Sequence, residues 1–131
     1  MPFPVDQKWI DVAEQELGKV LPDSYKSRLK RDNGGEIEAV GDSWILHPIF
    51  DQSDRKRLKR TCNHVLAETR SSRSWRGFPA DAIAIAANGS GDQLILLVDE
   101  ESGASFSSIV WFWNHETAQI DRVADFAEIA P

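Results

Sequence analysis

The C-terminal half of the chain contains three short apolar segments separated by polar loops that are rich in glycine. Residues 82–86, 93–98 and 108–113 consist mainly of β-forming residues, and the loops between them contain Asn-Gly-Ser-Gly-Asp and Asp-Glu-Glu-Ser-Gly. Turn-forming residues between apolar β-formers predict a three-stranded meander. The second and third segments are apolar at odd and even positions alike, which predicts inner strands of a sheet rather than edges.

The N-terminal third has helical spacing instead. Residues 6–17 repeat apolar side chains along one helix face, with Asp6 as the expected N-cap. Pro22 suits the first turn of a second helix, which should end at the Asn-Gly-Gly run that begins at Asn33. The two segments together predict a helical hairpin.

The remaining segments complete an α+β pattern. Strands are expected at residues 36–40 and 43–46 with a turn at Gly41-Asp42, a helix at 53–69, a loop at 70–78, and a final helix that carries Val123, Phe126, Ala127 and Ala130 on one face. The predicted fold is a single α+β domain spanning residues 1–131. It has an N-terminal helical hairpin, an antiparallel β-sheet flanked by helices, and a short C-terminal helix.

Composition excludes several classes of protein. With 131 residues, 41% of them hydrophobic and 27% charged, the chain can bury one globular core. The single cysteine, Cys62, rules out an intrachain disulfide framework and a Cys-rich zinc site. No secretion signal is visible, and no apolar run approaches the roughly 18 to 20 residues of a membrane span. We therefore expect a cytoplasmic protein that does not associate with membranes.

Charge is unevenly distributed along the chain. Residues 1–53 carry a net charge of −4, residues 54–76 have 8 basic and 2 acidic side chains for a net +6, and residues 77–131 carry −8. The basic segment allows two interpretations: a nucleic-acid surface that neutralises phosphates, or a solvated helix face that pairs with acidic neighbours. Because charge runs are commonly exposed faces, the second interpretation is favoured and a nucleic-acid partner is not expected.

No pattern of residues predicts catalysis or a bound cofactor. The loop at residues 88–92 lacks a Walker lysine and precedes a strand, so it is interpreted as a β-turn and not as a phosphate loop. His115-Glu116 has no second histidine at helical spacing, and Cys62, His64 and His47 do not complete a tetrahedral metal set. Cys62 is expected on the buried face of its helix. We predict no catalytic, cofactor-binding or metal-binding residues.

Five tryptophans are a high count for 131 residues. Trp9 is expected in the core. Trp111 and Trp113 share one face of their strand, and the residues between and before them take the other. One of the two faces must meet the helices. The opposite face is either covered by residues 53–69 or is a recognition surface, because exposed apolar patches are usually functional.

The order of these short motifs resembles that of the SUKH superfamily, which includes yeast cell-wall regulators and bacterial immunity proteins. The resemblance is carried by Glu-Leu-Gly at 16–18, Leu-Pro-Asp-Ser-Tyr at 21–25, Leu29, Asn-Gly-Gly at 33–35, and the segments 83–86, 88–92, 110–116 and 124–129. It spans about residues 9–130 and is weakest at 44–78. It implies an α+β fold without enzymatic activity and, for small bacterial members, a role as a cytoplasmic antidote to a toxin. It supplies no catalytic set to carry over.

Two functions from different classes remain open. The first is neutralisation of a contact-delivered toxin, whose basic domain, such as a nuclease, would meet the acidic C-terminal block. The residues expected at that contact are Asp92, Asp99, Glu100, Glu101, Trp111 and Trp113. The alternative is a regulatory or nucleic-acid-binding scaffold protein that uses the basic segment 55–76. The sequence does not identify the toxin or the oligomeric state.

Overall fold

A computed structural model describes residues 2–130 of the chain. In chain order the elements are α1 (Gln7–Leu17), α2 (Asp23–Arg31), β1 (Gly35–Ala39), β2 (Asp42–Leu46), α3 (Arg55–Arg60), α4 (Val65–Arg73), β3 (Ile83–Ala87), β4 (Gln93–Val98), β5 (Phe106–Trp113), β6 (Ile120–Asp125) and α5 (Phe126–Ile129). The strands form one sheet in the order β1-β2-β3-β4-β5-β6, and every neighbouring pair is antiparallel. The α+β class is confirmed. No helix in the described part of the chain is long and apolar enough to cross a membrane.

The predicted helical hairpin is confirmed as α1 and α2, and one carboxylate fixes the connection between them. Oε2 of Glu14 accepts a hydrogen bond from the backbone N–H of Leu21 at 2.7 Å and another from Lys26 at 3.3 Å. Asp6 occupies the N-cap position of α1, but its side chain makes no capping hydrogen bond there. Glu14, not Asp6, is therefore the polar side chain that organises the hairpin.

The main core lies between one face of the sheet and the helices α1, α2 and α5. Its largest fully buried members include Trp44, Tyr25, Phe126 and Ile10. The rings of Tyr25 and Phe126 meet edge to face with centroids 5.2 Å apart, which joins α2 to α5. Trp9 is only partly buried and packs at the margin of this core, so its placement as a core residue was correct only in part.

A buried asparagine joins the end of the hairpin to the chain that follows β2. The Asn33 side chain accepts a hydrogen bond from Ile49 N and donates one to Ile49 O, both at 2.8 Å, and Asn33 is 6% exposed. This pair of bonds satisfies both backbone groups of a buried residue. The Asn-Gly-Gly run is thus a tertiary junction as well as a helix stop.

The first hairpin of the sheet turns one residue earlier than predicted. Val40 and Gly41 form the turn with positive φ angles of 54° and 68°, and Asp42 already belongs to β2. Two consecutive positive φ values are typical of a type I′ turn, which matches the twist of the flanking strands. Val40 is β-branched and rarely adopts this conformation, so the predicted turn at Gly41-Asp42 was wrong by one position.

The single helix predicted at residues 53–69 is wrong, because the segment forms α3 and α4 with a break at residues 61–64. Asp54 caps α3 by accepting from Arg57 N, and Nδ1 of His64 caps α4 by accepting from Ala67 N. Cys62 lies in the break and is exposed, which corrects its expected burial. Helix α4 also continues through residues 70–73, which were predicted as loop.

The three predicted C-terminal strands are confirmed as β3, β4 and β5, but the meander is longer than predicted. Strands β1 and β2 precede it in the same sheet, and β6 follows it. Val123 therefore lies in a strand, and the final helix is shortened to α5, where Asp125 accepts a hydrogen bond from Ala127 N. Polar residues within β6 concealed its strand character.

Strands β2 and β3 separate after two residue pairs, Ile45–Ala87 and Leu46–Ala86. Helix α4 occupies the opening, and Oγ1 of its Thr69 accepts a hydrogen bond from Ala84 N at 2.9 Å. On the same side, Gln93 donates from its amide to the Ser72 hydroxyl at 3.2 Å. The chain thus passes from the main core, where Val65 of α4 is buried, to the second face of the sheet, where Phe78 packs.

Replacing Asn33 with alanine should leave two buried backbone groups of Ile49 without partners. We expect the free energy of unfolding to fall by about 2–4 kcal/mol, measured by urea denaturation. The matched control is Asn63→Ala, because Asn63 is exposed and should change stability by no more than about 0.5 kcal/mol. Equal effects of the two substitutions would contradict the proposed junction.

Stability should also fall in mild acid. Burial lowers the pKa of His47, although Glu68 and the Gln93 hydrogen bond oppose the shift, and burial together with Arg70 lowers the pKa of His64. The unfolded chain then binds more protons than the folded chain, so the free energy of unfolding rises with pH. The two neutral histidines therefore cost the folded chain no stability above the unfolded pKa of about 6.5, and the free energy of unfolding decreases as the pH falls through that value.

Urea titrations at pH 7.5 and 5.5 measure this slope, and His47→Gln should reduce it. A slope that is unchanged in His47→Gln would exclude His47 as a source.

Candidate protein-binding surface

The second face of the sheet carries a smaller apolar cluster, which we call the outer face. Strands β3, β4 and β5 contribute Ala84, Ile95 and Trp113 to it, and Phe78 packs on them from the segment after α4. Leu97, Trp111 and Ile120 lie against this cluster and are partly buried. Both faces of β4 and β5 are thus in apolar surroundings, as their sequences predicted.

Trp113 is sealed beneath the chain that follows α4. Its ring lies 5.7 Å from the Trp75 ring and 5.2 Å from the Phe78 ring, and its indole Nε1 donates to the Gly77 carbonyl at 3.3 Å. Its exposed fraction is 0%. Trp113 cannot touch a partner in this conformation, so its expected role as a contact residue is corrected to that of a support for the outer face.

The cover over Trp113 depends on a tight approach between two loops. A Cβ added to Gly77 would lie 2.3 Å from the Cβ of Ala118, in the loop between β5 and β6. Both residues have positive φ angles, 84° at Gly77 and 62° at Ala118. Glycine is required at position 77 because no side chain fits between the loops.

Beyond this cover, the outer face is open to solvent. Trp111 is half-buried beside Leu97, and Trp75 at the border of the cover is 40% exposed. The predicted cover by residues 53–69 is wrong, because the cluster contains none of them and the Trp113 end is covered by Trp75 and Phe78 instead. The recognition surface stays a prediction. The open part is an aromatic surface with an apolar surround, a composition typical of protein interfaces.

The predicted acidic residues do not form one patch. Asp92 immediately precedes β4, whereas Asp99, Glu100 and Glu101 follow it. A six-residue strand separates the two sites by about 20 Å. A partner could contact Trp111 together with one of the two acidic sites more readily than with both.

Asp92 is held by the loop between β5 and β6. Its Oδ1 accepts from His115 N at 3.1 Å and lies 2.7 Å from His115 Nδ1. Partial burial raises the pKa of Asp92, but the hydrogen bonds from His115 and Asn88 outweigh this effect and hold the pKa below its usual value. Asp92 thus has a structural role in joining two loops.

The acidic loop after β4 is exposed and anchored at its base, with residues 100 and 101 at its tip. Asp99 N donates to Ser105 O at 2.8 Å, and Oδ1 of Asp99 accepts from Glu101 N at 3.1 Å. Val20 forms a parallel bridge to Ser105 and is itself 49% exposed. The loop therefore presents carboxylates from a fixed position next to an apolar side chain.

One outer-face residue was missed by the sequence analysis. Arg122 on β6 is the cross-strand partner of Trp111 on β5 and is exposed. Directly opposed residues of neighbouring strands share a face, so Arg122 is a cross-strand neighbour of Trp111 on the outer face. Arg122 was missed because part of β6 was placed in the final helix, and only the pairing of β5 with β6 shows that Arg122 is a neighbour of Trp111.

A metal site is not formed by the side chains that the structure describes. Within residues 2–130, no three His, Cys, Asp or Glu side chains are grouped so that they could hold an ion. His47 is buried and faces the Gln93 amide at 3.5 Å, and Cys62 donates to the Leu58 carbonyl.

Comparison with known families gives one match that covers almost the whole chain. The sequence model of the SMI1 / KNR4 family (SUKH-1) matches residues 4–129. The resemblance described from the short motifs is thereby confirmed, including across the middle segment where those motifs were weakest. No curated protein matches the chain.

Gly77→Ala should disrupt the cover over Trp113. Gly103→Ala is the matched control, because Gly103 also has a positive φ, 64°, but a Cβ there would have nothing within 4 Å. Both variants incur backbone strain of about 1 kcal/mol, and Gly77→Ala should lose about 1–3 kcal/mol more through overpacking. Denaturation measures stability, and acrylamide quenching of tryptophan fluorescence should increase for Gly77→Ala. Equal stabilities would contradict the close loop contact.

Proposed function

The chain belongs to the SMI1 / KNR4 family (SUKH-1), and from this premise we propose that it is a non-enzymatic binding protein that neutralises a protein toxin in the cytoplasm. The family includes toxin immunity proteins. Such a protein needs a surface that recognises the toxin and holds it, and needs no reacting groups of its own. The proposed binding surface is the open part of the outer face together with the acidic loop at residues 99–101.

The observation that carries this proposal is the half-buried Trp111 on a supported, open sheet face. Trp111 packs against a cluster that contains the buried Trp113 and Phe78, and the Trp75 ring lies 5.7 Å from Trp113, so the sheet beside Trp111 is supported by buried aromatic side chains. Tryptophan is enriched among residues that dominate binding energy, because it buries a large area with few rotatable bonds. A toxin side chain packed on Trp111 and Leu97 would exclude water from both.

The acidic loop supplies the complementary electrostatics for a basic toxin domain such as a nuclease. Asp99, Glu100 and Glu101 lie within three consecutive residues, and the block from residue 77 to the end carries −8. Such a field accelerates encounter with a basic protein and disfavours acidic competitors. Asp92, at the other end of β4, is hydrogen-bonded to His115. It would therefore add to the negative electrostatic potential of the surface rather than contact the toxin directly.

The proposed location follows from the same role, because an antidote must meet the toxin where the toxin acts. The exposed, unpaired Cys62 is compatible with a reducing compartment.

The alternative of a nucleic-acid-binding or regulatory scaffold protein has less support. Segment 55–76 does not form one continuous basic helix, because its cations are divided among α3, α4 and Arg76, and residues 61–64 interrupt the helical structure. The binding experiment below separates the two proposals, since only an immunity protein should bind the toxin domain and prevent its toxicity.

The test is co-expression and calorimetry with the toxin encoded beside this gene. Wild-type chain should prevent toxicity and bind the purified toxin domain. Trp111→Ala should weaken binding by about 30-fold or more, the threshold of a hot-spot residue. The double change Glu100→Lys and Glu101→Lys should slow association, with an effect that diminishes at high salt.

Controls come from the β1–β2 edge of the same sheet, distant from Trp111. Ile45→Ala removes an apolar side chain that is 53% exposed on β2, three strands away from Trp111, and Glu36→Lys with Glu38→Lys reverses two exposed acids on β1. Neither control should change affinity more than about twofold. Absence of protection by the wild-type chain, or full affinity of Trp111→Ala, would refute the proposal.

A further inference from the structure

A small apolar pocket lies between helix α1, the segment after β2 and the start of α4. All three elements contribute to its apolar lining, which includes Trp9, Val12, Ile49, Phe50, Val65 and Leu66. Trp9 and Leu66 pack against the main core, whereas Trp111 packs against the cluster of the outer face. The pocket and the proposed toxin-binding surface are therefore separate.

Backbone and ring contacts fix the walls of this pocket. Val65 N donates a hydrogen bond to Pro48 O at 2.8 Å, which joins the start of α4 to the segment after β2. The Phe50 ring stacks on the His64 imidazole with centroids 4.6 Å apart. Ile49 and Val65 are each 1% exposed. The pocket is thus formed before a ligand arrives, which reduces the entropic cost of binding.

The volume of the pocket limits the group that fits. Its volume is about 30 Å³. One water molecule needs roughly 10–15 Å³ of such space, so the pocket holds a group of a few heavy atoms. Sites that enclose a whole organic ligand usually measure roughly 300–1,000 Å³. The pocket therefore matches one small aliphatic side chain, presented by a larger molecule that rests on the surrounding surface.

Three polar groups at the pocket are available to such a molecule. Trp9 Nε1 is buried and has no hydrogen-bond partner among the described residues. Nδ1 of His64 accepts from Ala67 N at 3.2 Å, so Nε2 of the neutral ring carries the proton and can donate. Glu16 also lines the pocket, is exposed, and makes no hydrogen bond or ion pair with another residue in the described range 2–130.

The charge of the lining is negative. Within the described part of the chain, Glu16 is the charged carboxylate of the lining, and no lysine or arginine belongs to it. The pocket thus combines N–H donors with a carboxylate that has no cation of its own. A bound molecule should supply a hydrogen-bond acceptor and a positive charge.

We propose that this pocket binds a segment of a partner protein that inserts one small aliphatic side chain and places a lysine or arginine beside Glu16. A backbone carbonyl next to the inserted side chain can accept from Trp9 Nε1, and an unpaired buried N–H is otherwise unfavourable. The cation of the segment complements the Glu16 carboxylate at the rim. Val12 is 38% exposed and offers further apolar contact to the segment.

The test is a titration of the ¹⁵N-labelled full chain with the peptide acetyl-Gly-Lys-Val-Lys-Gly-amide, in the absence of any toxin. The Trp9 indole signal should shift saturably, and the Trp113 signal on the outer face should not. Replacing the valine of the peptide with glycine should weaken binding about tenfold or more, because buried methyl groups are lost. Replacing that valine with tryptophan should also weaken binding, because an indole exceeds the pocket.

Glu16→Lys tests the rim carboxylate without disturbing the core, because Glu16 is exposed. It should weaken peptide binding about fivefold or more, since like charges now face each other. Asp11→Lys is the matched control: it makes the same change of charge at an exposed position of α1 that does not line the pocket. At physiological salt it should change affinity less than about twofold, because more distant exposed charges are screened.

Equal affinities of the valine and glycine peptides, or of Glu16→Lys and Asp11→Lys for the valine peptide, would overturn the proposal. An unchanged Trp9 signal at millimolar peptide would also overturn it. Tighter binding of isobutyramide than of the peptide would assign the pocket to a small molecule instead. A Trp9 signal that shifts on concentrating the chain alone, together with a dimer in ultracentrifugation, would assign it to a second copy.

Discussion

The central constraint on this molecule is a sheet whose inner strands are apolar on both faces. Apolar surface on a strand must be buried against another layer to be stable in water. Helices α1, α2 and α5 cover one face fully. In the described part of the chain, the second face is covered at the Trp113 end by residues 75–78, and Trp111 remains half-buried. The incomplete cover is what makes the outer face available to a partner.

Acidic and basic residues are placed at different positions around this open face. The acidic loop at residues 99–101 stands at one end of β4, and Arg122 lies beside Trp111 in the cross-strand register. The cations of α3 lie elsewhere, where Lys56, Arg57 and Arg60 contact the ring of Phe3. The net charge of −6 therefore conceals separate acidic and basic regions.

Local sequence signals were sufficient for the elements that are continuous and apolar. The helical hairpin and strands β3 to β5 were predictable because their side-chain periods and turn residues agree. Strand β6 was missed because Asp121 and Arg122 interrupt its pattern on a sheet edge. The break at Cys62 was missed because its cause is tertiary, namely the Thr61 hydroxyl accepting from Asp51 N at 2.9 Å. The burial of Trp113 depends on contacts distant in sequence, which one sequence does not reveal. The separation of Asp92 from Asp99, in contrast, follows from the predicted strand at 93–98.

The five tryptophans allow the central claim to be tested directly. Each indole N–H gives its own signal in a ¹H–¹⁵N spectrum, and their environments differ: Trp44 donates to Ala39 O, Trp113 donates to Gly77 O, and Trp111 lies on the open face. Adding unlabelled toxin domain to labelled chain should shift the Trp111 signal most and leave the Trp44 signal unchanged. A complex in which Trp111 is unaffected while the Trp9 signal shifts would contradict binding through the outer face.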